Sequence, residues 1–355
     1  MAPVVRTNVV PDRDSSWVTL LGSSDRRGGT SAVRKQPPAE LIWKVALPES
    51  IRSSPVLKDG VVYVTCRDGR LYALDARTGK QRWTFLLDAP SHSTPALAGP
   101  LIVFGSDAGT IYAVDRLSGE LRWKSPGSGE IWTSPVASAD SIVVGSTDGT
   151  FRSIDRATGQ TRWRREFQGA IHSTGYVSDR LVYFGCGDGR LYALEISSGK
   201  DGWAHAAADA VVTSPALADG TVFAGSEDHF FYALDASTGN VKWKIETGLG
   251  IDSSPAVAAG KVYFGGKDGH VYALAAADGK EIWKSRSLRT LTAPPLAGDG
   301  VVYMQSFYGT TQAYDAATGK ELWRANLGGS LQSTPIVTDE AVYLATYQGV
   351  VYALR

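Results

Sequence analysis

One position varies among the eight copies of an otherwise regular pattern in this 355-residue chain, and its side chains could hold a ligand. They lie nine residues after eight evenly spaced tryptophans and read Arg52, His92, Trp132, His172, Val212, Asp252, Thr292 and Gln332. Four consecutive copies supply a guanidinium, two imidazoles and an indole. That set suits a flat, anionic or carboxylated ligand, stacked on Trp132, paired with Arg52 and hydrogen-bonded by His92 and His172. Asp252, Thr292 and Gln332 add polar groups from the other half of the series. Zinc held by His92 and His172 is disfavoured, because copies two apart would hold imidazoles too widely for Zn–N bonds of about 2.0–2.1 Å. The plainer alternative is a polar, water-filled opening with no ligand. Elsewhere the sequence shows no nucleophile motif, phosphate loop or metal-spaced cluster.

The elements that must position these residues follow from the spacing. Trp43, Trp83, Trp123, Trp163, Trp203, Trp243, Trp283 and Trp323 recur at an interval of 40, and a proline follows twelve residues later in seven copies, with Gly175 in the other. One unit shows the physics. Ser54-Pro55-Val56-Leu57 is a short strand ended by the Lys58-Asp59-Gly60 turn, and Val61–Thr65 is a second strand of β-branched and aromatic residues. Asp68-Gly69 supplies a hairpin, since glycine accepts positive φ. Leu71–Asp75 is a third strand, Thr78-Gly79-Lys80 a turn, and Gln81–Phe85 a fourth strand. Four antiparallel strands with a period near 40 make one blade of a β-propeller. Asp75 and its counterparts are therefore turn residues, and the abundant Ser and Thr belong to the repeat.

A blade cannot bury both faces alone, so the array must be long or closed. The eighth unit ends at Arg355 without its fourth strand, while an unpaired fourth strand, Leu41–Val45, precedes the first unit. The expected fold is thus all-β: an eight-bladed propeller over residues 41–355, closed by the N-terminal strand around Trp43, which completes the last blade. The variable positions then ring one mouth of the central channel, with Asp252 across from His92. Residues 1–40 lie outside the period and carry one apolar island, Trp17–Leu21, expected to pack outside the ring or to plug the channel.

Charge and composition narrow the partners. Thirty-six Lys and Arg balance 36 Asp and Glu, so no net field would draw in nucleic acid or an anionic membrane. No run approaches the roughly 20 apolar residues of a membrane helix. The first residues lack a secretory signal pattern, so the expectation is a cytoplasmic monomer, or a periplasmic or extracellular one if a leader was removed. Cys66 and Cys186 occupy the same position in blades three apart, too distant for a disulfide, and are expected to be buried free thiols.

The spacing Ala73-x-Asp75-x-x-x-Gly79-x-x-x-Trp83 returns at Ala113, Asp115, Gly119 and Trp123, at Ala233, Asp235, Gly239 and Trp243, and at Ala313, Asp315, Gly319 and Trp323. It resembles the tryptophan-docking motif of pyrroloquinoline-quinone (PQQ)-type propellers, a family that includes quinoprotein dehydrogenases, BamB-type assembly scaffolds and sensor domains. The resemblance implies that each indole lies against the next blade while Asp and Gly hold the turn. It does not settle function. The adjacent cysteine pair that such dehydrogenases place over the quinone is missing. No clustered set of Asp, Asn and Glu at channel-facing positions is evident for Ca²⁺, which needs six to eight oxygen ligands.

The expected function is therefore a non-catalytic scaffold for a protein or a small anionic or aromatic ligand, with no cofactor, although PQQ stays open. The alternatives are an enzyme at the same mouth, either quinone-dependent or a cofactor-free lyase or cyclase, and a ligand sensor. Hairpins on the mouth face add a second candidate surface. Asp-Gly recurs in blades one, three, four and six, and His229 takes the glycine position in blade five. Blades seven and eight carry Phe307, Tyr308 and Tyr347, candidates for a partner patch, for the rim of the mouth or for packing against residues 1–40.

Overall fold

The computed structural model describes residues 40–287, 290–298, 300–306, 309–326, 333–338 and 340–355. The expected strands form where the β-branched and aromatic runs lie. In blade 1 they are Val56–Lys58, Val61–Cys66, Arg70–Asp75 and Gln81–Leu86, paired in sequence order as one antiparallel sheet. Seven four-stranded sheets repeat this order along the chain. The eighth joins Ile336–Val337, Val342–Ala345 and Val350–Leu354 to the N-terminal strand Leu41–Ala46. Trp43 pairs with Ala353 and Lys44 with Tyr352. The N-terminal strand thus completes the last blade, as its stranded position in the sequence requires, and the outer edge of that sheet is not left one strand short.

The outer strand is bulged at the residue before the tryptophan: Ala73 faces Trp83 while Leu74 faces Gln81, so Arg82 is the extra residue. A bulge increases twist and re-aims the next side chain. Here that side chain is the indole, which packs on the next blade's turn. Trp43 Nε1 donates to Ala76 O at 2.9 Å, Trp163 to Ile196 O at 2.8 Å and Trp203 to Ala236 O at 2.9 Å. Seven turn glycines, from Gly79 to Gly319, hold φ between +68° and +76°, and a Cβ on any of them would sit 2.6–2.8 Å from the preceding blade's indole. Only glycine satisfies both the backbone angle and the contact. The turn aspartate is spent locally. Asp75 Oδ1 accepts from Thr78 N at 2.9 Å and Thr78 Oγ1 at 2.8 Å, and Oδ2 from Arg82 at 2.7 Å. These donors hold its carboxyl down to about 2.

The faces between blades bury the remaining apolar residues. Phe151 stacks on Phe184, and Phe231 on Phe264, with ring centroids 4.0 Å apart in both cases. Cys66 and Cys186 are free and buried, and burial pushes their thiols up to about 11 and about 12.

Nearest the channel, the repeated Ser/Thr residues form a second ring, broken at blade 7. Ser54 N donates to Thr94 Oγ1, Ser134 N to Thr174 Oγ1, Thr174 N to Ser214 Oγ and Ser214 N to Ser254 Oγ, each at 2.9 Å. Thr334 N donates to Ser54 Oγ at 2.9 Å across the closure between blades 8 and 1. Blade 7 carries Pro294 at this position and has neither an N–H nor a hydroxyl to contribute. Correspondingly, the buried Thr334 Oγ1 of blade 8 has no partner.

Deleting one docked indole should therefore cost far more than deleting an exposed aliphatic. Trp203→Ala should lower the free energy of chemical unfolding by roughly 3–5 kcal/mol, the range for a large aromatic truncated in a core. Leu117→Ala, at a position 69% exposed, should stay within about 0.5 kcal/mol of the parent. Equal unfolding midpoints for the two variants would show that docking does not hold the ring.

Candidate functional site

The innermost strand of each blade is entered through the nine-residue position, held in place by the Ser/Thr ring immediately after it. Arg52, His92, His172, Val212, Asp252 and Thr292 are all half-buried there, and Trp132 is 40% exposed. Gln332, Phe307 and Tyr308 lie outside the described residues.

A second layer, of which the sequence singles out only Phe307 and Tyr347, interlocks with the first. It is the opening residue of each mouth-side hairpin, 24 residues after the tryptophan: Arg67, Asp107, Thr147, Gly187, Glu227 and Lys267, with Tyr347 in blade 8. The backbone N–H of this residue donates to the carbonyl two residues before the mouth position: Arg67 to Ser50 at 3.0 Å, Asp107 to Pro90 at 2.8 Å, Glu227 to Ala210 at 2.9 Å and Lys267 to Gly250 at 3.1 Å. This position varies as freely as the first, and tabulating it by blade would have revealed it.

Together the two layers make three clusters. The first is aromatic. Trp132 lies between the imidazoles of the flanking blades, with ring centroids 5.0 Å from His92 and 5.2 Å from His172, tilted by 33° and 42°. His92 Nδ1 donates to Asp107 Oδ1 at 2.8 Å, which fixes that ring. His172 Nδ1 is buried without a partner, and burial lowers its pKa, which favours the neutral imidazole. The indole of Trp132 is thus flanked by an imidazole on each side and keeps the rest of its surface exposed.

The second cluster is cationic. The Arg52 guanidinium sits 5.2 Å from the Tyr347 ring centroid. Arg52 and then Arg67 lower the pKa of the Tyr347 phenol, so both cations bear on one oxygen. Neither arginine has a carboxylate within ion-pair distance among the described residues, and the Nε of each is buried without a partner. Tyr347 thus belongs to the rim of the mouth.

The third cluster is acidic. Lys267 Nζ lies 2.5 Å from Glu227 Oε1 and 3.0 Å from Asp252 Oδ2, while Asp252 Oδ1 is buried with no partner. Burial first, then Glu227, raises the Asp252 carboxyl to about 6. A hydrogen bond from Asp252, then Lys267, holds Glu227 below its ordinary value. Glu227 comes from a hairpin that the nine-residue series does not sample, so its pairing with Asp252 through Lys267 is not visible in that series. No group of three or more His, Cys, Asp or Glu side chains arranged to hold a metal ion occurs among the described residues.

The fold and this mouth define a PQQ-type repeat propeller. The family model described as outer membrane protein assembly factor BamB matches residues 23–126, 86–170 and 147–355, and the chain belongs to that family. BamB from Moraxella catarrhalis superposes with a TM-score of 0.79 at 20% identity, covering 89% of this chain and 99% of that one. Quinohemoprotein alcohol dehydrogenase from Comamonas testosteroni gives 0.78 at 17% identity, covering 96% and 80%. The computationally designed Ika8 protein gives 0.79 at 20% identity over 89% and 99%. At these identities the likeness is one of fold. A quinoprotein ethanol dehydrogenase from Pseudomonas aeruginosa is 54% identical over 33 residues, 9% of this chain and 5% of that protein.

PQQ, a flat tricarboxylate, does not fit the residues present. The platform indole is flanked by His92 and His172, and Glu227 and Asp252 would face an anionic ligand with like charge. No cysteine pair is available above the ring, since Cys66 and Cys186 are separate buried thiols.

The raised Asp252 carboxyl makes a pH prediction. Its folded value of about 6 exceeds the roughly 3.9 of an unfolded aspartate, so the folded chain binds this proton more tightly. The contribution of Asp252 to stability is therefore greatest below the unfolded value and falls as pH rises through the window from about 4 to about 6. Carboxyl-carbon NMR should show a titration step near pH 6 that disappears in Asp252→Asn, and that variant should lose this part of the pH dependence of unfolding. A step near pH 4 in the parent would contradict the cluster's geometry.

Proposed function

We propose that the chain is a non-catalytic binding scaffold whose working surface is the mouth formed by the two interlocked layers. The observation that carries the reading is the pair Arg52 and Arg67: half-buried guanidiniums without a carboxylate partner among the described residues, on a face where His92 and Lys267 are paired. Charges left uncompensated in a partly desolvated site are costly unless a ligand completes them. Membership of the BamB family supports a scaffold role, and the protein partner that such a role implies would dock over the same face. Among the described residues the mouth supplies no nucleophile paired with a base, and Asp107 engages the imidazole of His92.

The competing reading is a quinone-dependent oxidoreductase, and calorimetric titration of PQQ with and without Ca²⁺ separates the two. No saturable binding and no dye-linked oxidation of primary alcohols are expected. Saturable binding that is lost in Trp132→Ala, with turnover that falls in Arg52→Gln or His172→Ala, would replace the scaffold by an enzyme.

A further inference from the structure

The charged clusters of the mouth have opposite signs and sit on different walls. Arg52 and Arg67 belong to blade 1 and, with Tyr347 of blade 8, form a wall with two cations and, among the described residues, no carboxylate partner. Glu227 of blade 5 and Asp252 of blade 6 form the other wall, where two carboxylates share one ammonium and an excess of negative charge remains. Trp132, in blade 3, presents its exposed part between them.

We infer that the mouth selects a zwitterion: an anionic group held by Arg52 and Arg67, an ammonium group held by Asp252 and Glu227, and an apolar body against Trp132. This deepens the reading of the mouth as a binding site and rests on it. The argument is one of complementarity. A monoanion satisfies the guanidiniums but leaves the excess negative charge of the acidic wall unmatched. A monocation does the reverse. A polyanion places its second negative group against Glu227 and Asp252, and like charges brought together reject a ligand more sharply than a missing contact does. A ligand with one charge of each sign meets both walls.

The acidic wall also makes this preference dependent on pH. The groups that bear on Asp252 are Glu227 and Lys267, with His229 acting on Glu227, while Asp228 and Asp268 are engaged by the hydroxyls of Tyr232 and Tyr272 at 2.7 and 2.5 Å. Protonating Asp252 cancels the excess negative charge of the wall, so the advantage of the ammonium group fades as pH falls below about 6.

Three probes that share a phenyl body test the inference by calorimetry on the full chain: L-phenylalanine, 3-phenylpropionate without the ammonium, and phenethylamine without the carboxylate. At pH 8, phenylalanine should bind at least tenfold more tightly than either of the others. Arg67→Gln should reduce it to the level of phenethylamine, and Asp252→Asn to the level of 3-phenylpropionate, with melting curves confirming that both variants fold. At pH 5 the parent should approach Asp252→Asn. If 3-phenylpropionate binds as tightly as phenylalanine and loses that binding in Arg67→Gln, the zwitterion is wrong while the mouth remains a binding site. If none of the three binds, both fall.

Discussion

Everything in this ring depends on one contact, made at seven of its junctions: an indole on the outer strand of one blade pressed against the glycine turn of the next. The contact works only as a set. The bulge at the residue before the tryptophan aims the ring outward from its own sheet, the glycine at positive φ removes the Cβ that would block it, and a turn carbonyl accepts the indole N–H. Each blade is therefore finished by its neighbour, and a lone blade would expose an aromatic face and an unpaired donor. This dependence is why the chain must close. The strand carrying Trp43 comes first in the sequence but belongs to the last blade, where it places its indole on Gly79 of the first.

The same logic explains how the mouth varies without loosening the fold. The variable residue is followed at once by two Ser/Thr positions whose hydroxyls and amides bond from blade to blade, as in Ser93 Oγ to Thr133 O at 2.9 Å and Thr174 N to Ser214 Oγ at 2.9 Å. The hairpin on the other side is tied by a backbone bond that makes no demand on its side chain, as in Asp107 N to Pro90 O. Two side chains per blade are thus displayed from backbone already fixed by other groups. Rigid display of unconstrained residues is what a binding surface needs.

The fold was legible in the sequence because its determinants are local and periodic: tryptophan, turn glycine and turn aspartate recur at fixed offsets, and the unpaired Leu41–Val45 strand announced the closure. Half of the site was legible for the same reason, since a position that varies within a uniform repeat stands out. What could not be read was pairwise geometry. Nothing in the spacing shows that His92 and His172 both approach the indole of Trp132, or that Arg52 of blade 1 meets Tyr347 of blade 8. Glu227 was overlooked because its hairpin was read for turn chemistry alone, and the hairpin's first residue faces Asp252 of the next blade through Lys267. Contacts between repeats depend on how far each side chain reaches, which periodicity does not encode.

Blade 7 is where the repeat yields. Pro294 interrupts the Ser/Thr ring, and Gln305 stands where Gly105, Gly145, Gly185, Gly225 and Gly265 stand in the preceding blades. Both amide atoms of Gln305 are buried without partners, as are Thr311 Oγ1, Tyr314 OH and Thr334 Oγ1. Each unmet polar group costs about 1–3 kcal/mol in a site closed to water. They accumulate at blade 7 and its junction with blade 8, between the acidic wall of blades 5 and 6 and the cationic wall of blades 8 and 1. A closed ring tolerates such a joint because the seven indoles docked on Gly79 to Gly319 still hold the circle. In an open array of blades the same defects would fall beside a free end. Closure therefore does more than pair edges: it lets one sector of the mouth depart from the repeat while the two charged walls keep their places.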